Sequence, residues 1–292
     1  MSRTVGGEKG WVTRADRHLE VRKAELRVRV AGGELYAEEH GAGEPLILIA
    51  GLGQALWIWR WSLPALAQHR RVLVYDARGT GRSTAPLEPC TVDAMAEDAE
   101  AVLQAAGVTR ADVLGFSMGG YVALTLALAQ PARVRSLVLA GTGAGGPGRV
   151  PRPPEVRAAF AEAWGLEPAE FGRRTLPYAL APGWPERNPE RFEEILAARL
   201  ERPTSYEAIS AHAEACYGFY RAGVEVERIQ APALVVHGDA DRIIPVENGR
   251  MLASRLPSAE YVELPGRGHD LMLEDPEAFS RAVLDRCRPS RP

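Results

Sequence analysis

Short and mostly continuous apolar runs recur along the chain. They are PLILIA, RVLVYD, ADVLGF, SLVLAG, ALVVHG and YVELPG, at residues 45–50, 71–76, 111–116, 136–141, 233–238 and 261–266. Strands that are apolar at consecutive positions are usually buried on both faces, as in a parallel sheet. The runs therefore predict strands of a mostly parallel sheet. Ahead of them, the segment ELRVRVAGGELYAEEH predicts a β-hairpin that turns at Gly32-Gly33.

Segments of helical character lie between these runs. Helical spacing places one set of apolar residues on a single face of a predicted helix that Gly107 can end; they are Val92, Met95, Ala99, Val102, Leu103 and Ala106. Residues 119–130 predict a second helix, with Pro131 just past its end. Strands that alternate with helices indicate an α/β fold.

The spacing of the strand-like runs is interrupted once. Residues 142–231 contain none; they open with a Gly/Pro-rich link and continue with the helical segments EVRAAFAEAWG, PERFEEILAARLE and SYEAISAHAEACYGFYRAG. We therefore predict a helical cap at 142–231, inserted into an α/β core formed by residues 25–141 and 232–292. Residues 1–24 are predicted to form an N-terminal tail.

Composition narrows the class of protein. The chain has 292 residues, of which 46% are apolar and 25% charged, as in soluble globular proteins. A net charge of −3 gives no basic face for nucleic acid. The cysteines at 90, 216 and 287 are too few and too scattered for a disulfide framework or a zinc site. The first twenty residues lack the apolar core of a signal peptide, and no run suits a membrane span, so we expect a cytoplasmic protein.

A serine stands among glycines where a predicted strand meets a predicted helix. The segment is Gly115-Phe116-Ser117-Met118-Gly119, which fits the pattern G-x-S-x-G. A sharp strand-to-helix turn of this kind exposes the serine oxygen above the sheet, and side chains at the flanking positions would collide. The pattern predicts that Ser117 is a nucleophile rather than an incidental serine in a packing turn.

A serine nucleophile needs a base, and the base needs an acid that orients it. His269 follows the last predicted strand, where a loop can bring it over the sheet edge. His237 lies inside the run ALVVHG and is expected to be a core or strand-end histidine. Asp239 and Asp241 both follow that run, at the sheet edge where α/β proteins place their sites. The chain order serine, aspartate, histidine is that of one particular hydrolase fold.

An oxyanion hole requires two convergent N–H donors. Met118 supplies one at the start of the helix after Ser117. The loop Gly51-Leu52-Gly53-Gln54 follows an early strand, and we expect the Leu52 N–H to supply the other.

A competing pattern, G-x-G-x-x-G, lies at residues 141–146. Four prolines follow it where a dinucleotide-binding motif would open a helix, so we interpret it as the entry to the insertion and not as a cofactor site.

Together these segments resemble the α/β-hydrolase fold family. The matching pieces, in order, are GLGQ, DARGTGRS, GFSMGG, HGDADRIIP and GRGHD, and the resemblance covers the chain from about Glu25 onward, apart from the insertion. In that family the elbow serine is the nucleophile, the fourth position of a G-x-x-D pattern is the acid, and the histidine of the last Gly-His pair is the base. The resemblance therefore implies a catalytic triad of Ser117, Asp241 and His269.

One segment departs from the family pattern. Many members begin the oxyanion loop with His-Gly, where this chain has Ala50-Gly51. The insertion matches the position of the family's cap domain. In overall appearance the chain is similar to single-domain esterases, enol-lactone hydrolases and cofactor-free haloperoxidases with small caps.

The resemblance implies hydrolysis of a small-molecule carboxylic ester or lactone through an acyl-enzyme, without a metal or an organic cofactor. A carbon–carbon bond hydrolase with the same triad, and a ligand-binding receptor with little turnover, are the alternatives.

We expect neither nucleic acid nor membrane as a partner, and the sequence allows either a monomer or a homodimer. The aromatic residues of the insertion predict an apolar pocket roof that favours uncharged acyl groups. Candidate substrate-binding residues are Gly51, Trp164, Tyr178, Trp184 and Tyr217.

Overall fold

All six apolar runs form strands of one sheet, and the predicted hairpin adds two more. The computed structural model describes residues 23–287. The predicted N-terminal tail lies outside the described residues, except for Lys23 and Ala24, which begin the first strand. The strands are β1 (Lys23–Val30), β2 (Gly33–Gly41), β3 (Pro45–Ile49), β4 (Arg71–Tyr75), β5 (Ala111–Phe116), β6 (Val134–Ala140), β7 (Ala233–Gly238) and β8 (Ala259–Leu264).

The sheet is mostly parallel, as predicted. Its order is β1-β2-β4-β3-β5-β6-β7-β8; β2 pairs antiparallel with both β1 and β4, and the other pairs are parallel. Val30 pairs with Gly33, so the hairpin turns at Ala31 and Gly32, one residue earlier than predicted. Gly32 has a φ of +79°, which glycine adopts at little cost.

Eleven α-helices are present in residues 23–287. They are α1 (Leu63–Ala67), α2 (Val92–Ala105), α3 (Met118–Ala129), α4 (Pro154–Ala163), α5 (Pro168–Ala179), α6 (Trp184–Arg187), α7 (Pro189–Leu200), α8 (Tyr206–Ala222), α9 (Val246–Arg255), α10 (Leu271–Glu274) and α11 (Pro276–Arg286). The predicted helices at 92–106 and 119–130 correspond to α2 and α3. No helix in this part of the chain is both long and apolar enough to cross a membrane.

Two apolar cores lie on opposite faces of the sheet. Val113 of β5 belongs to the core that contains residues of α2 and α3, and its neighbour Leu114 belongs to the core that contains residues of α11. Both side chains are fully buried. This two-sided burial is the physical reason for the continuous apolar runs.

Helices α4 to α8 all lie between β6 and β7, in the segment at residues 142–231. Four of their aromatic rings, from Phe160, Trp164, Phe171 and Tyr206, meet edge to face with centroids 5.2–6.4 Å apart. Such contacts stabilise a small aromatic cluster within the segment. Part of the same cluster borders the cavity described below.

Candidate active site

Ser117 occupies the junction between β5, which ends at Phe116, and α3, which begins at Met118. Its φ of 54° and ψ of −118° are strained for a residue with a side chain. Within the described part of the chain it is the only non-glycine residue with positive φ. The strained turn lifts the side chain out of the strand direction, as expected for a nucleophile elbow.

The glycines around Ser117 are required by close backbone approach. A Cβ atom at Gly115 would lie 2.2 Å from the carbonyl oxygen of Gly119. A Cβ atom at Gly119 would lie 2.1 Å from the carbonyl oxygen of Ile49. Both distances are far inside van der Waals contact, so only glycine at these positions lets the helix follow β5 this tightly and pack this closely against β3.

Ser117, His269 and Asp241 form one hydrogen-bonded chain. The Nε2 atom of His269 lies 3.0 Å from Ser117 Oγ, and its Nδ1 atom lies 2.7 Å from Asp241 Oδ2. An ionised carboxylate only accepts, so Nδ1 carries the hydrogen and Nε2 is left to accept the serine proton. All three side chains are buried, and each lies in a turn or loop after a strand.

Backbone and side-chain donors hold the Asp241 carboxylate. Its Oδ1 atom accepts the N–H groups of Ile243 and Ile244 at 2.8 and 2.9 Å. Burial raises the pKa of Asp241, but electrostatic attraction to His269 and the hydrogen bonds from His237 and His269 outweigh burial and leave the pKa well below its ordinary value. Asp241 is therefore ionised at neutral pH.

Asp239, the other aspartate after β7, has a different partner. Its Oδ1 atom accepts the N–H of Gly266 at 2.6 Å, which ties the loop after β7 to the loop after β8. The structure thus brings Asp241 to His269 and places Asp239 in a turn.

His237 contacts the same carboxylate, which the sequence reasoning did not anticipate. Its Nε2 atom lies 3.1 Å from Asp241 Oδ2 and 2.9 Å from the carbonyl oxygen of Ile244. Both partners only accept, so Nε2 carries a hydrogen. His237 is fully buried near the end of β7, consistent with a strand-end histidine. Its position four residues before Asp241 is the only sequence signal for this contact.

The backbone N–H groups of Leu52 and Met118 have no acceptor among the residues at 23–287. Both residues border the cavity that contains Ser117. The loop is held by its neighbours: Gly51 donates to Gln54 Oε1 at 3.2 Å, and Gly53 donates to His212 Nδ1 at 3.2 Å. Free donors beside the serine are what an oxyanion hole needs.

A cavity of about 580 Å³ lies above Ser117 and His269. Of the candidate substrate-binding residues, Trp164 and Tyr217 line it, and both are largely exposed. The other three do not line it. Gly51 is buried at the start of the oxyanion loop, Tyr178 packs against the Arg242 guanidinium at 5.1 Å, and Trp184 is buried in a core.

The cavity is more polar than the apolar pocket that the sequence predicts. Besides apolar and aromatic side chains, four arginines line it: Arg149, Arg152, Arg157 and Arg199. Asp270, which follows His269, is also on its wall, 3.4 Å from the amide of Gln54. Across the described chain, no group of three or more His, Cys, Asp or Glu side chains is arranged to hold a metal ion.

Fold and site together define a hydrolase of the α/β class. Residues 44–276 match the model of the alpha/beta hydrolase fold family. The chain therefore belongs to the α/β-hydrolase fold family, and the hydrolase function that the resemblance implies is supported.

Relatives carry several different names. A protein of Azorhizobium caulinodans named "Putative carbamate hydrolase RutD" is 33% identical over 254 residues, which are 87% of this chain and 95% of the relative. The structure of an N-acyl homoserine lactone degrading enzyme is 30% identical, with a TM-score of 0.75, and covers 90% of this chain and 100% of its own. The enol-lactonase from Burkholderia xenovorans is 28% identical, with a TM-score of 0.75 over 89% of this chain and 98% of its own.

Proposed function

We propose that the protein hydrolyses a carboxylic ester or lactone through an acyl-enzyme. The observation that carries the proposal is the hydrogen-bonded chain from Asp241 through His269 to Ser117 Oγ. The strained turn at Ser117 supports it, because such a conformation persists where function requires an exposed nucleophile.

In this mechanism, Ser117 Oγ attacks the carbonyl carbon while His269 Nε2 takes its proton. The carbonyl oxygen becomes an oxyanion, which the N–H groups of Leu52 and Met118 stabilise. When the intermediate collapses, the bond from the acyl carbon to the alcohol oxygen breaks, and His269 returns the proton to that oxygen. Water then attacks the acyl-enzyme by the same steps and releases the carboxylic acid and free Ser117.

The charge of Asp241 stabilises the imidazolium that forms in each half-reaction, and its hydrogen bond keeps the His269 Nε2 lone pair directed at the serine.

The choice of substrate class rests on similar proteins. Two similar solved structures are named as a lactone-degrading enzyme and an enol-lactonase, which favours an ester or lactone carbonyl. A carbamate is the second candidate, because a 33% identical relative bears that name. The same attack on a carbamate carbonyl would expel an alcohol or an amine.

A labelling and turnover experiment tests the proposal. A fluorophosphonate probe should label the wild type at Ser117 alone, and Ser117→Ala should abolish both labelling and turnover. Among a panel of esters, lactones, carbamates and β-diketones, an ester or a lactone should show the highest kcat/KM. Labelling without turnover of any of them would favour a receptor, and preferential turnover of a diketone would favour carbon–carbon bond cleavage.

A further inference from the structure

We propose that Arg199 binds a carboxylate group of the substrate, so that the ester or lactone this protein hydrolyses is an anion. The inference rests on the proposed function and names its substrate class. It departs from the uncharged acyl group that the aromatic residues of the insertion suggest.

Arg199 lies near the end of α7, and its half-buried side chain lines the cavity that contains Ser117. Its guanidinium carbon is 5.6 Å from the centre of the Phe171 ring. No hydrogen bond or ion pair joins it to any residue between 23 and 287. Burial lowers the pKa of Arg199, and the charge of Asp270 acts in the opposite direction. The group is thus a partly exposed cation without a counter-ion in contact.

The two fully buried arginines among residues 23–287 are paired. Arg70 is buried and forms an ion pair with Asp112, and Arg78 is buried and meets Asp98 at 2.8 Å. A guanidinium that is partly withdrawn from water loses some of its hydration, and such a partner offsets that loss. Arg199 therefore differs from the structural arginines in the same chain, and a bound anion would supply the missing partner. Its planar fork of N–H donors fits a carboxylate in a bidentate manner.

The charge balance of the cavity favours an anion. Arg149, Arg152 and Arg157 also line it, and none of the three pairs with a carboxylate in the described structure. Arg152 donates from Nε to the carbonyl oxygen of Ile243 at 3.2 Å. Asp270 is the one carboxylic acid on the wall. A concave site lined by charges of one sign concentrates ligands of the opposite sign.

The acid on the cavity wall, Asp270, follows His269 in the chain. Burial raises the pKa of Asp270 above its ordinary value, and electrostatic attraction to His269 and Arg199 offsets only part of this rise. Arg199 also borders a narrow cleft beside Gly53 of the oxyanion loop. A cavity of about 580 Å³ limits the substrate to a small molecule.

The test uses ester pairs that differ by one charge. Monomethyl and dimethyl adipate place the charge on the acyl side; 4-(butyryloxy)benzoate and its methyl ester place it on the leaving group. kcat/KM is measured for wild type, Arg199→Met, Arg199→Lys and Arg202→Met at constant ionic strength. Arg202 is an exposed arginine three positions further on, so its variant controls for the loss of one charge.

In at least one pair, wild type should prefer the anionic ester. Arg199→Met should lower kcat/KM for that ester about ten- to a hundredfold, the range expected for a hydrogen bond to a charged group, and change its neutral partner less than about threefold. Arg199→Lys should recover part of the loss, and Arg202→Met should change neither ester. An equal loss on both members of each pair, or no charge preference in wild type, would overturn the proposal.

Ligand-dependent thermal unfolding separates this inference from the proposed function. Adipate should raise the unfolding temperature of wild type and Arg202→Met, but not that of Arg199→Met. If adipate stabilises wild type through Arg199 and no ester is hydrolysed, the anion subsite stands and the hydrolytic proposal fails. If neutral and anionic esters are hydrolysed equally and adipate has no effect, hydrolysis stands and the subsite is rejected.

Discussion

His212 Nδ1 accepts a hydrogen bond from the N–H of Gly53 at 3.2 Å, and His212 Nε2 lies 2.9 Å from the carbonyl oxygen of Arg78. The carbonyl accepts, so Nε2 carries the hydrogen and the ring is neutral. Burial lowers the pKa of His212, which favours this neutral form. A helix of the inserted segment thus holds the residue next to Leu52, although the position of His212 far from any strand end gave no sign of it.

Replacing His212 by Phe should therefore weaken the oxyanion loop. The N–H of Gly53 would lose its acceptor, and the Leu52 N–H would be less well positioned for an oxyanion that forms only in the transition state. We expect kcat to fall about tenfold or more while KM changes little. Steady-state kinetics with p-nitrophenyl butyrate measure this, and His212→Asn should recover part of kcat. A change confined to KM would contradict it.

The two aspartates after β7 should differ in their effect on activity. Asp241→Asn should lower kcat about 10⁴-fold, because a neutral amide favours the wrong tautomer of His269. Asp239→Asn should leave kcat within a few-fold of wild type, since Asp239 contacts Gly266 and not the histidine. Kinetics of both variants, with circular dichroism to check folding, decide the matter. Loss of activity in Asp239→Asn alone would reverse the assignment.

The strain at Ser117 predicts an effect on stability. Its φ of 54° is easy for glycine and costly for a residue with a Cβ atom. Ser117→Gly should therefore be more stable than Ser117→Ala by about 1 kcal/mol, although both are inactive. Urea unfolding of the two variants gives this difference directly. Equal stabilities would mean that the turn carries no strain at this residue.

Glu274 predicts a dependence of stability on pH. Its Oε1 atom accepts the N–H groups of Gly268 and Ala181, both at 2.8 Å, while its buried Oε2 atom has no partner. Burial raises its pKa from 4.5 to about 7, against the effect of those hydrogen bonds. The native state thus binds more protons than the unfolded state in that window, so this contribution to stability is lost as pH rises through it.

Glu274→Gln carries no titratable proton and should avoid that loss. Its unfolding temperature minus that of wild type should increase from about pH 5 to about pH 8. Glu277→Gln, an exposed substitution on the neighbouring helix α11, should show a flat difference over the same range. A flat or decreasing difference for Glu274→Gln would contradict the prediction.

The inserted segment should influence the length of the acyl chain that is accepted. Trp164 and Tyr217 line the cavity, so Trp164→Ala and Tyr217→Ala should enlarge it and move the optimum in a series of p-nitrophenyl esters toward longer chains. Each additional methylene that is buried contributes about 0.8 kcal/mol. Trp184→Ala is the matched control, because Trp184 is buried in a core and should affect stability instead. An unchanged optimum in both cavity variants would contradict the idea.

Much of the framework was determined by the sequence itself. The runs such as ADVLGF are apolar at consecutive positions because both faces of the sheet are covered. This pattern predicts the strands without knowledge of their order in the sheet. The requirement for glycine at position 115 is equally local, since a Cβ atom there would meet the carbonyl oxygen of Gly119 in the same turn. The order of serine, aspartate and histidine after successive strands follows from the same strand pattern.

Only the tertiary structure decided which distant side chains meet. The sequence pattern left both aspartates after β7 open, and the loop geometry brought Asp241 rather than Asp239 to His269. The sequence likewise marked the aromatic residues of the insertion but not Arg199, whose lack of a partner is visible only once its helix is packed. The reason is physical: periodicity reports whether a face is buried, whereas contacts between distant segments depend on strand order, loop conformation and helix orientation, which no local pattern encodes.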